Sequence, residues 1–176
     1  MARTFIRLPQ ATDQAELIAL NQSSRELHAD WAAPPSTAEA FQWYLERSQR
    51  PDTCAMLLCH ATTKAVMGMI TLSQIFYGPL QSAYMGYSIG AAYARQGFMR
   101  EGIAHMLDHA FEILKLHRIE ANIQPDNQPS IRLIERLGFT REGFSRRYLF
   151  IAGQWRDHAR YAMLSEDWPT IRTTIW

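Results

Sequence analysis

The sequence predicts an α+β (mixed α/β) fold, on three observations. Its 176 residues, 47% apolar and 20% charged, have the length and composition of one globular domain spanning 1–176 around a single core. Apolar runs of strand length, such as "TCAMLLCH" at 53–60, mix with segments whose polar caps and apolar spacing are helical. Neither type is segregated to one part of the chain, and no internal repeat or low-complexity stretch interrupts the pattern.

Taken in order, Thr4–Arg7 is a short strand. Residues 13–21, "DQAELIALN", form a helix behind the polar cap Thr12. "DWAAPPST" at 30–37 is a loop before a second helix, which Ser36 and Glu39 open as a capping box and which runs to about Gln49. Residues 53–60 and 65–73 are strands joined by "ATTK", and 82–90, "SAYMGYSIG", is a third, long strand. A helix over 100–115 carries Ile103, Met106, Leu107, Ala110 and Leu114 as an apolar stripe. Strand 118–123 leads to a helix over 128–137, with Gly138 as its C′ residue. Strands 140–151 and 155–164, joined at Ala152-Gly153-Gln154, close the chain.

Composition excludes several functions. A formal net charge of +1 provides no broad basic footprint for nucleic acid. No segment approaches the roughly 20 apolar residues of a membrane span. The N-terminal stretch lacks the apolar run of a secretion signal, so a cytoplasmic location is expected. Cys54 and Cys59 stand five residues apart on one strand, roughly 16 Å, too far for a mutual disulfide, and read as reduced core thiols. Asn21-Gln22-Ser23 fits a glycosylation sequon, discounted without that signal. "HMLDH" at 105–109 has the i, i+4 histidines of a zinc pair. The wheel turns them to solvent with no third ligand nearby, so no metal is expected.

Two segments carry candidate chemistry. In "AYARQGFMREG", 92–102, a strand end is followed by a helix start, whose unpaired N–H groups and dipole favour an anion. Gly97 lets a phosphate oxygen approach the backbone, and Arg95 and Arg100 offer charge-assisted contacts. An ordinary strand-to-helix connection is the competing reading. In "IQPDNQPSIRLIERLGF", 123–139, Pro129 suits a first helical turn and Asn127 is either its cap or a free polar group.

Together these segments resemble the GCN5-related N-acetyltransferase (GNAT) superfamily. Its second element, N-x-x-(S/A)-x-x-x-(Y/L)-x-x-x-G-F, is matched by Asn127, Ser130, Ile134, Gly138 and Phe139. Its loop, Q/R-x-x-G-x-G/A, is matched less well: Ala94 replaces Gln or Arg, Arg95 stands where glycine is common, and Met99 replaces the last Gly or Ala. "GYSIG" at 86–90, "HRIEANIQPDN" at 117–127 and "GQWRDH" at 153–158 look like the RimJ/RimL-type ribosomal-protein-alanine N-acetyltransferase branch.

That resemblance implies a mixed, mostly antiparallel sheet flanked by helices, with a splayed strand pair holding acetyl-CoA. Tyr87, Ser88 and Ile89 would hold the pantetheine arm. Arg95, Gln96, Gly97, Phe98, Met99 and Arg100 would hold the pyrophosphate, and Asn127 and Ser130 would face the thioester. It implies an acetyl-CoA-dependent N-acetyltransferase acting by direct attack of an amine. A backbone N–H near Ile89 would serve the oxyanion. Ser130, then Tyr148, would serve the leaving thiolate. The acceptor is the N-terminal amine of a protein, a ribosomal protein being the implied target, or else a small amine; a non-catalytic CoA-binding module is the third reading. Trp31 and Tyr84 are the acceptor-site candidates, Trp31 either walling a groove or packing on the core. Asp30, Glu142 and the tyrosines are all open as the base. At the end of the chain, Trp155 reads as core and Arg156–Asp157 as an ion pair. A monomer and a homodimer are both compatible with the sequence.

Overall fold

The computed structural model describes residues 3–28 and 31–175. Among them, seven strands form one sheet in the order β1-β2-β3-β4-β5-β7-β6. These are β1 (Thr4–Arg7), β2 (Thr53–His60), β3 (Val66–Phe76), β4 (Ser82–Ile89), β5 (Arg118–Ile123), β6 (Thr140–Ile151) and β7 (Gln154–Leu164). Every neighbouring pair is antiparallel except β4 and β5. The helices are α1 (Gln14–Gln22), α2 (Arg25–His28), α3 (Ala38–Ser48), α4 (Phe98–Asp108), α5 (Gln128–Arg136) and α6 (Trp168–Arg172). None of these helices is long and apolar enough to cross a membrane.

The sheet is covered on both faces, and β2 shows why it must be. Its side chains alternate between two clusters: Cys54, Met56 and Leu58 join the larger core, while Ala55, Leu57 and Cys59 join a smaller one with Leu17 and Phe41. The two thiols are both buried and free, one on each side of the strand. The larger core lies under α4, whose Ile103, Ala104, Met106 and Leu107 are fully buried.

Several local readings change. The second helix is capped by Thr37, whose hydroxyl accepts from Ala40 N–H at 3.2 Å, one residue after the expected Ser36. Thr12 lies inside a short 3-10 turn over Ala11–Asp13, and α1 starts only at Gln14. The long helix starts at Phe98, two residues early, and ends in a π-turn over His109–Ile113. Its "HMLDH" face is not free. His105 Nε2 lies 3.1 Å from Thr4 O, and Asp108 accepts Trp168 Nε1–H at 2.8 Å and pairs with Arg172. Long-range packing by β1 and α6, invisible to a helix wheel, covers that side. Asn21 is buried, its amide donating to Pro35 O at 2.8 Å.

Candidate active site

The defining feature is where β4 and β5 part. They pair in parallel for three residues only, Ser82–Arg118, Ala83–Ile119 and Tyr84–Glu120. Beyond that fork β4 runs on to Ile89 and β5 to Ile123 without pairing with each other. The other edge of β4 stays on β3 through Gly68–Ile89. Gly90 donates its N–H to Met67 O at 2.8 Å. Alternation along this antiparallel pair then turns the backbone groups of Ile89 and Tyr87 away from β3, towards the gap.

The end of β4 is clamped. Ser24 Oγ accepts from Ala91 N–H at 2.9 Å, and His28 Nε2 lies 2.9 Å from Ile89 O. A carbonyl only accepts, so that nitrogen carries the proton. His28 is buried, and its Nδ1 has no partner among the described residues.

A groove of about 680 Å³ opens beside this gap. Tyr87, Ser88, Ile89, Arg95, Gly97, Phe98, Met99, Arg100, Asn127 and Ser130 all line it. Gln96 does not: its amide turns back to Ala92 O at 2.8 Å. Four arginines line the groove, Arg95, Arg100, Arg132 and Arg136, with no carboxylate among its described lining residues. Arg100 is anchored to Thr174 O at 3.3 Å, and its Nε is buried without a partner among the described residues. The volume, the unneutralised positive charge and the helix start suit a phosphate-bearing nucleotide with a long arm.

The loop geometry explains the irregular motif. Arg95 has φ +61° and Gly97 φ +85°, both left-handed. A glycine is at ease at both positions; arginine at the first costs about 1 kcal/mol. Met99 is buried, and its methyl group lies 3.3 Å from where a β-carbon on Gly68 would stand. A side chain at Gly68 would first meet the Ser88 carbonyl oxygen, so β4 itself requires the glycine and the Met99 methyl packs over the space it leaves.

Behind the groove, Ser130 Oγ and Tyr87 Oη are 2.5 Å apart. Burial pushes the Tyr87 phenol well above its usual range, a shift that the Ser130 contact partly offsets. Asn127 Oδ1 accepts from Ser130 N–H at 3.2 Å, so it caps α5 and aims the serine.

Other expected residues lie elsewhere. Tyr148 donates to the Tyr84 hydroxyl at 3.4 Å, and that bond, with burial, raises Tyr148 to about 12. Neither tyrosine lines the large groove, whereas Trp31 does. Glu142 is paired with Arg118, which holds its carboxyl below the usual range. Asp30 lies outside the described residues. Trp155 is exposed and stacks edge-on against Phe150 rather than in the core. Asp157 accepts from Arg147 N–H instead of pairing with Arg156. Sequence reasoning passed over His28, Arg132 and Arg136. The i, i+4 spacing of the two arginines on α5 was a usable signal for a shared basic face. A four-residue helix offered none for His28.

A second cavity of about 390 Å³ meets the first at Ala32, Tyr87 and Ser88. It lies on the α3 face of the sheet, walled by Trp43, Tyr44 and Arg47 of α3, by Pro34 and Pro35, and by Thr71 and Ser73 of β3. At the end of β4 a basic groove therefore meets a largely apolar cavity.

Comparison with known proteins accords with this geometry. Residues 3–140 match the family model described as an acetyltransferase (GNAT) domain. A Bacillus subtilis protein named "Probable N-acetyltransferase YjcK" is 32% identical over 171 residues, 93% of this chain and 94% of that one. The [ribosomal protein uS5]-alanine N-acetyltransferase of Escherichia coli is 38% identical over 105 residues, 60% of this chain and 54% of its own. The solved structure of Mycobacterium smegmatis RimJ in complex with CoA-disulfide has the same fold, with a TM-score of 0.88 at 24% identity over 98% of this chain and 87% of that one. The chain belongs to the GNAT acetyltransferase family, among relatives that include ribosomal-protein-alanine N-acetyltransferases.

Proposed function

We propose that this N-acetyltransferase moves the acetyl group of acetyl-CoA to the N-terminal α-amine of a protein, a ribosomal protein being the family-implied target. The observation that carries the reading is the meeting of two unlike cavities at Tyr87 and Ser88, one holding four arginines and the other no carboxylate among its described lining residues. The arginine-lined groove takes the phosphates of acetyl-CoA, and the free edge of β4 takes its arm. The amine arrives from the second cavity and attacks the thioester carbon directly. The N–H groups of Tyr87 and Ile89 face the gap and stabilise the oxyanion that develops there. The bond to sulfur breaks, and the Ser130 hydroxyl, held by Tyr87, supplies a hydrogen bond to the departing thiolate.

An α-amine suits such a site energetically. With a pKa near 7.7–8.0 it is roughly 10% neutral at pH 7, against about 0.04% for a lysine near 10.4, a difference of roughly 3.5 kcal/mol. A weak base acting through water then suffices.

The test is to incubate the protein with labelled acetyl-CoA, N-terminal peptides, polyamines and aminoglycosides, following free thiol. Peptide turnover well above every small amine is expected. Preference for a polyamine or an aminoglycoside would overturn the assignment. Binding of acetyl-CoA with no turnover at all would make the chain a binding module.

A further inference from the structure

The second cavity says more than where the amine enters. Its register places Tyr87 and Ser88 at one end and Thr53 at the other, through Ser88–Met69 on β4–β3 and Thr53–Ser73 on β2–β3. Two strand spacings and four residues along the strand make that diagonal roughly 16 Å. Arg47, in the last turn of α3, also lines the cavity, and the Arg50 N–H to Arg47 O and Thr53 N–H to Arg50 O bonds, both 3.1 Å, hold the end of α3 beside the start of β2 at Thr53. Its guanidinium stacks over the Trp43 ring at 4.7 Å, with no ion pair to a carboxylate among the described residues. Neighbouring Arg50 is instead paired with Asp52. Stacking holds the guanidinium in place and leaves its donors for a ligand.

Two further observations point to a bound peptide rather than a compact small molecule. Tyr44 is 8% exposed and lines the cavity, yet its hydroxyl has no hydrogen-bond partner among the described residues. A buried hydroxyl without a partner costs free energy that a ligand amide would recover. The walls between the two ends are apolar or hydroxyl-bearing, with no described acidic residue to hold a second ammonium.

Resting on the proposed acetyl transfer, we infer that this cavity selects acceptors by charge at a distance. It takes an N-terminal peptide whose α-amine lies at Tyr87–Ser88 and whose acidic side chain, within the first four residues, pairs with Arg47. An extended chain covers about 3.3 Å per residue, so three or four residues and the reach of two side chains span the diagonal. A bidentate carboxylate–arginine contact supplies affinity, and a basic side chain at the same place is repelled.

The experiment compares two peptides that begin Ala-Glu-Glu-Glu and Ala-Lys-Lys-Lys and share the same remainder. kcat/KM is measured on the wild type, Arg47→Lys and Arg47→Glu. The expected result is at least a tenfold preference for the acidic peptide, carried in KM. Arg47→Lys keeps the sign of the preference; Arg47→Glu abolishes or reverses it without moving the KM for acetyl-CoA. Equal turnover of both peptides, or a preference that Arg47→Glu leaves intact, overturns this inference alone. Turnover of neither peptide while a small amine is acetylated overturns the function proposed above as well.

Discussion

Removing the Ser130 hydroxyl tests the site most directly. In Ser130→Ala the Tyr87 phenol, pushed up by burial and 2.5 Å from that hydroxyl, is left without its partner. An orphaned buried hydroxyl costs about 1–3 kcal/mol. Tyr87→Phe leaves the smaller, half-buried serine unpaired, and about 0.5–1.5 kcal/mol is expected. The double variant removes both partners, so the second substitution adds little to the first and the cycle closes with a coupling of about 1 kcal/mol. Urea unfolding of the four proteins measures this. In parallel, each single variant should lower kcat by roughly 10–100-fold with the KM for acetyl-CoA little changed, and the double should be no worse than the poorer single, because the two groups act as a unit. Strict additivity in stability would show that the hydrogen bond is not made in solution. An unchanged kcat in Ser130→Ala would remove the pair from the chemistry.

Two further predictions concern other parts of the molecule. Arg95→Gly relieves the left-handed backbone of Arg95 but adds unfolded-state freedom of similar size, so stability should stay within about 0.5 kcal/mol. A several-fold rise in the KM for acetyl-CoA then reports the guanidinium itself; an unchanged KM would mean that Arg95 only makes room. Asp13 is buried, accepts from Arg7 at 2.7 and 2.8 Å and from Gln10 N–H at 2.7 Å, and its pKa is lowered, chiefly by Arg7. A depressed folded pKa means stability present above the unfolded value of about 3.9 and lost as pH falls through the folded one. Asp13→Asn should therefore lower Tm at pH 6 and narrow that deficit steadily below about pH 4; a deficit independent of pH would refute the ion pair.

Particular residues show how far the sequence was legible. The strands at 53–60, 118–123 and 140–151 emerge with those bounds, because each is an apolar or alternating run closed by turn residues. Gly138 is left-handed, φ +84°, at the end of α5 as a C′ glycine should be. The start of α4 was misread because Gly97 sets it through its left-handed backbone, so the helix opens at Phe98, well before the apolar stripe begins at Ile103. The helices α2 and α6, four and five residues long, are too short to show a period.

The same division runs through the candidate site. The family resemblance, carried by short contiguous motifs, implied one shared groove for the 87–89 strand, the 95–100 loop and the Asn127–Ser130 helix start, and of the residues named there as candidates all but Gln96 line one groove. Each is a short contiguous motif, whose backbone conformation is set by its own residues. The fork after Tyr84–Glu120, the clamp of His28 on Ile89, the approach of Tyr87 to Ser130 and the cavity beneath Arg47 all join residues far apart in the chain. Their geometry depends on how the sheet twists and on which helix covers which face. Periodicity carries no record of that, so the tertiary structure alone decided where the serine points and which two cavities meet at Tyr87 and Ser88.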